Sequence, residues 1–119
     1  MLFLKILMIT LVVDLVFLML ISKKISTIIS KIQGSPLKLN VIYATIVYLF
    51  VCIQLYTFII VPKASLQHAF LLGTSTYAIF EFTNMAIFKE WDYKMVIIDT
   101  LWGGILYSLT TYILRAFFT

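Results

Sequence analysis

The chain has 119 residues, enough for one domain, of which 63% are hydrophobic and 12% charged. Soluble domains run at about 45–50% apolar and about 25% charged, so lipid is the natural solvent for most of this surface. The formal charge of +4 comes from Lys and Arg set between apolar stretches, where they read as membrane-surface anchors rather than a nucleic-acid face. The lone Cys52 excludes an intrachain disulfide.

A spanning helix needs about 20 mostly apolar residues, and four segments meet that requirement. The first covers about 2–21. It exceeds the about 7–15 residues of a secretory h-region and is followed by Ser22-Lys23-Lys24 rather than a small-residue cleavage site, so it is expected to be a retained helix. Asp14 lies within it. A carboxylate costs about 2.5–3.5 kcal/mol near a helix centre, while each Leu, Ile, Phe or Val returns about 0.3–0.6. The many such residues in 2–21 carry the helix into the membrane.

Segment 22–38 holds Lys23, Lys24, Lys31 and Lys38, with a turn signal at Gly34-Ser35-Pro36. Ile25, Ile28, Ile29 and Ile32 recur at helical spacing opposite Lys and Ser, which predicts a helical extension lying in the headgroup region. The second apolar segment covers about 39–61 and stops at Pro62, which cannot continue a helix unstrained. After a tight turn the third covers about 66–88. Segment 89–94 is a charged hairpin with Trp91 and Tyr93 at interface depth. The fourth covers about 95–114 and closes on Tyr112, Arg115, Phe117 and Phe118, an aromatic-basic anchor.

The prediction is an all-α, single-domain integral membrane bundle of four transmembrane helices. An even count places both termini on one side. Loops 22–38 and 89–94 carry Lys23, Lys24, Lys31, Lys38, Lys89 and Lys94, against Lys5, Lys63 and Arg115 on the other side. The positive-inside bias makes these loops cytoplasmic and the N- and C-termini non-cytoplasmic.

Ionisable residues inside a membrane are costly and raise a functional hypothesis by default. Asp14, Glu81 and Asp99 are the three here. At 1.5 Å per residue they lie about 13, 12 and 7 Å from the Lys-rich end, in the same half of the bilayer. No Lys, Arg or His lies near that depth, and His68 sits at the opposite end of its helix. Three carboxyls without a cation must share protons, a bound cation or water. Tyr77, Glu81 and Asn84 form one stripe of the third helix, where Tyr77 or Asn84 can reach Glu81. On the fourth helix Asp99, Gly103, Leu106 and Thr110 share a face. Gly103, Gly104 and Ser108 allow close helix approach. Thr45, Tyr48, Cys52 and Tyr56 make a mildly polar stripe on the second. The plainer alternative is that these groups are interhelical glue, worth about 0.6 kcal/mol per hydrogen bond. Trp91, Trp102 and Tyr93 read first as interface anchors, and Cys52 as packing.

Tyr77-Ala78-Ile79-Phe80-Glu81-Phe82-Thr83-Asn84, then Trp91, then Asp99-Thr100-Leu101-Trp102-Gly103, resembles the signature of small membrane proteins known as domain of unknown function 2177. Asp14 matches the acidic residue usual in the first helix of that family. Glu81 stands where Asp is usual, and Ile79-Phe80 where a more polar pair is. The resemblance implies the four-helix architecture and a shared polar core at Tyr77, Glu81, Thr83, Asn84, Trp91, Asp99, Trp102 and Gly103. It supplies no activity.

Two function classes stay open. One is a small transporter of protons, cations or a cationic solute, with Asp14, Tyr77, Glu81, Asn84, Asp99 and Trp102 as the candidate intramembrane polar site. The other is a structural or accessory protein whose partner is a second copy or another membrane protein. No nucleophile–base pair, metal spacing or cofactor motif is visible, so an enzyme is not expected.

Overall fold

The computed structural model describes residues 1–118. Four helices follow in order: α1 (Leu2–Gln33), α2 (Val41–Gln54, continued by a π-helical stretch Leu55–Ile60), α3 (Leu66–Ile87) and α4 (Tyr93–Phe117). Three of them, α1, α2 with its π-helical end, and α4, are long and apolar enough to cross a membrane. The fourth expected span, α3, has the length, with 22 residues, but is not apolar enough to qualify. Thr74, Ser75, Thr76, Glu81 and Asn84 dilute its Leu and Phe. Bulky side chains such as Val12, Leu20, Ile42, Phe50 and Ile79 are more than half exposed, the surface expected of a chain solvated by lipid.

The predicted helical extension after residue 21 is a continuation of α1. Ile28 is buried with Trp91, Met95 and Val96, and Ile25, Ile29 and Ile32 pack around them. The isoleucine stripe thus finds a protein partner in the α3–α4 hairpin, which burial of apolar area favours. α1 stops at Gly34, whose φ of 71° suits a residue without Cβ and whose N–H bonds Ser30 O at 2.9 Å. From Asp14 to Gln33 the helix descends about 28 Å, whereas Tyr48 stands about 12 Å along α2 from its Asn40 cap. Extended residues 35–40 can climb back about 20 Å, which brings Tyr48 level with Asp14.

α2 is capped by Asn40 Oδ1, which accepts from the N–H groups of Ile42 and Tyr43. Near its end the ladder widens: Val61 N–H bonds Tyr56 O and Ala64 N–H bonds Ile59 O, both five residues back. Arg115 donates to Ile59 O at 3.3 Å. Ser65 caps α3 by accepting from His68 N–H, and its hydroxyl also meets His68 Nδ1 at 2.7 Å. This serine–histidine contact is an exposed cap on one turn of helix.

α3 and α4 form the tightest pair. A Cβ on Gly73 would overlap the Gly103 carbonyl, and one on Gly103 would overlap the Tyr77 ring. Gly104 faces Phe70 and Thr74 in the same way. Gly103 and Gly104 are therefore covered by α3 and do not form a free contact surface. Lys5 Nζ donates to Phe118 O at 3.2 Å at one end. At the other end Lys24 meets Asp92 at 3.4 Å. Both chain ends lie together, and loops 34–40 and 88–92 lie at the opposite end.

Candidate functional site

Asp14 is 6% exposed on α1 and is held from two sides. Trp102 Nε1 on α4 donates to its Oδ1 at 2.8 Å, and Tyr48 OH on α2 donates to its Oδ2. Phe17, one turn on, stacks on the Trp102 indole with centroids 4.4 Å apart and planes 7° off parallel. One tryptophan therefore gives Asp14 a proton donor and Phe17 an aromatic face, which fixes α1 against α4.

Glu81 is 2% exposed on α3. Trp91 Nε1 donates to its Oε1 at 2.8 Å, and the Asp99 carboxyl lies beside it. Two carboxylates have only acceptors and repel at short range, so a proton shared between them favours such a pair. Tyr77 borders one cavity together with Asp14 and Asp99, with its ring edge-on to Tyr107. The carboxyls thus come from three helices into one neighbourhood, with aromatic donors between them.

A second polar chain runs across the bundle. Tyr107 OH donates to Gln54 Oε1, Gln54 Nε2 to Thr76 Oγ1 at 3.1 Å, and Thr76 Oγ1 to Leu72 O at 2.7 Å. Between this chain and the Asp14 site lies a groove of about 580 Å³. Its polar lining is the buried Asp14 with the part-buried Asp99, Tyr77, Gln54 and Thr76, and apolar side chains of α1, α2 and α3 form the rest. Among the described residues no group of three His, Cys, Asp or Glu is placed to hold a metal ion.

The model of the predicted membrane protein family DUF2177 matches residues 1–115. The chain belongs to that family. No curated protein and no solved structure matches it.

In this DUF2177 protein the stretch from Tyr77 to Gly103 performs three separate tasks. Glu81 and Asp99 meet each other, Trp102 holds Asp14, and Gly103 lets α3 approach α4. Of the six residues singled out from the sequence, five gather here: Asp14, Tyr77, Glu81, Asp99 and Trp102. Asn84 does not join them. Its carbonyl accepts from Phe88 N–H at the end of α3, and the partners of Glu81 are Trp91 and Asp99 rather than Asn84 or Tyr77. Trp91 is no interface anchor, being 7% exposed and bonded to Glu81, whereas Tyr93 is 60% exposed. Tyr48 turns inward to Asp14, and Thr45 bonds Val41 O on its own helix. Gln54 was not among the expected residues because it lies off the Thr45, Tyr48, Cys52 and Tyr56 stripe of its helix. An uncharged amide in the middle of an apolar span carries the same signal, since it too needs a partner in lipid.

Proposed function

We propose that this protein is a small multi-pass transporter of protons, cations or a cationic solute, working through Asp14, Glu81 and Asp99 and catalysing no covalent reaction. The observation that carries this reading is the position of Asp99. Its carboxyl meets Glu81 on one side and lines the groove on the other. Loss of the proton held between Asp99 and Glu81 leaves negative charge beside the groove, and a cation in the groove favours that loss. Proton and cation are thereby coupled through one side chain.

The reading takes α3 as a fourth crossing. At 22 residues it is about 33 Å long, and the Lys5–Phe118 contact that joins the two chain ends fits an even number of crossings. The lysines of the opposite end favour a cytoplasmic position for it, with both termini on the other side.

A structural or accessory role is the second reading. It is favoured by the bonding of Asp14 and Glu81 within the chain, each to a tryptophan, as interhelical glue would be. Its partner would be a second copy or another membrane protein. The test is proton and cation flux in proteoliposomes for the wild type, Asp14→Asn and Glu81→Gln. Flux in the wild type that either variant abolishes supports transport. Equal flux in folded variants removes the carboxyls from the mechanism, and no flux in any of the three leaves the second reading.

A further inference from the structure

The groove has a shape that a proton or metal cation does not require. Its volume of about 580 Å³ falls within the about 300–1,000 Å³ of sites for drug-sized molecules. One water occupies about 30 Å³ of liquid.

The groove exists because α2 and α3 diverge. They approach each other only through Gln54 and the π-helical stretch, and the Val41–Gln54 part of α2 does not pack on α3. Its outer lining, Val47, Phe50 and Phe80, is 58%, 62% and 57% exposed. In a bilayer these side chains face acyl chains, so the groove opens sideways into lipid rather than along the bundle axis.

Its chemistry is asymmetric. The walls are hydrocarbon and aromatic, with Phe17, Phe50 and Phe80 from three helices. The polar lining holds Asp14 and Asp99, and no Lys, Arg or His of the described residues joins them. An acyl chain would fill the walls and leave the carboxyls without a counter-charge. An anionic headgroup would be repelled by them. A cation with an apolar body meets both halves: the charge sits against the carboxyls and the aromatic faces, and the body lies along the walls.

We infer that the groove between α2 and α3 binds a lipophilic organic cation that enters sideways from the bilayer. This deepens the transport reading and rests on it for the working role of Asp14 and Asp99.

The probe is radiolabelled tetraphenylphosphonium, whose charge is permanent, in equilibrium binding to the full chain in detergent micelles. Two variants act independently. Asp14→Asn removes charge from the polar lining of the groove. Val47→Trp fills it from an exposed position on α2, away from the polar interior. Circular dichroism and monodisperse elution establish that each is folded. Saturable one-to-one binding is expected in the wild type, weakened about tenfold or more in each variant.

No saturable binding, or binding that neither variant alters, overturns the inference. A phospholipid retained by the wild type and lost from Val47→Trp, without cation binding, also overturns it and assigns the groove to lipid. So does a dimer that Val47→Trp breaks, without cation binding, which assigns it to a second copy. Groove-dependent binding without flux in proteoliposomes upholds the inference and removes the transport reading. Carboxyl-dependent flux without binding does the reverse.

Discussion

Asp14 and Trp102 lie 88 positions apart in the chain and are joined by a 2.8 Å hydrogen bond. The same indole stacks on Phe17, so α1 is fixed to α4 by one donor and one ring face. Trp102→Phe keeps an aromatic surface and deletes the donor. A buried acceptor that loses its partner costs about 1–3 kcal/mol, and interhelical bonds in membrane proteins reach about 1.7. A loss of about 1–2 kcal/mol is expected in reversible unfolding by detergent titration. Tyr48 remains as a second donor to Asp14, so unfolding stays cooperative.

The two glycine environments separate crowding from backbone strain. Gly73→Ala drives a methyl into the Gly103 carbonyl, where rigid backbone cannot give way. The expected loss is about 1–3 kcal/mol, seen as a lower midpoint in the same titration. At Gly34 a Cβ meets nothing within 4 Å, but φ is 71°. Gly34→Ala therefore carries only left-handed strain, about 1–2 kcal/mol. The helix pair itself stays intact, and a cysteine crosslink across α3 and α4 forms as in the wild type.

The loop end of the bundle responds to acid through Asp92. The Lys94 backbone N–H, which Asp92 caps at 2.9 Å, and then Lys24 hold its carboxyl below the usual range. A carboxyl depressed by folding contributes stability that is fully present above its unfolded value of about 3.9. That contribution is lost as pH falls through the lower folded value. Hydrogen exchange at the first turn of α4 is expected to speed up below about pH 4. In Asp92→Asn that pH dependence disappears.

The proposed crossing by α3 is open to a labelling test. The native thiol Cys52 is fully buried, so background reaction is low. Lys63→Cys and Glu90→Cys bracket the helix. If α3 spans, an impermeant maleimide labels the two from opposite sides of sealed vesicles. Labelling of both from one side leaves α3 inserted without crossing.

The helical architecture was legible because apolar runs long enough to span are rare outside membranes. Four helices emerged close to the predicted positions, at Leu2–Gln33, Val41–Ile60, Leu66–Ile87 and Tyr93–Phe117. The first ran beyond its expected end near residue 21. Lys23 and Lys24 do not break a helix, and only Gly34 does. Asp14, Glu81 and Asp99 were visible as ionisable residues within apolar segments. Their partners were not, because contacts between helices have no fixed spacing in sequence. Trp91 illustrates this. Its place beside Lys89 and Glu90 suggests an interface, and only the turn at 88–92 folds it inward onto Glu81.

The central claim is that the buried carboxyls do work beyond holding helices together. Asp99→Asn tests it most directly, because Asn can still hydrogen-bond Glu81 but carries no exchangeable carboxyl proton. Proton-coupled flux in proteoliposomes and unfolding midpoint in detergent are measured on one preparation. The transport account predicts a midpoint close to the wild type together with loss of flux. A variant that is clearly destabilised yet retains the flux of the wild type contradicts it.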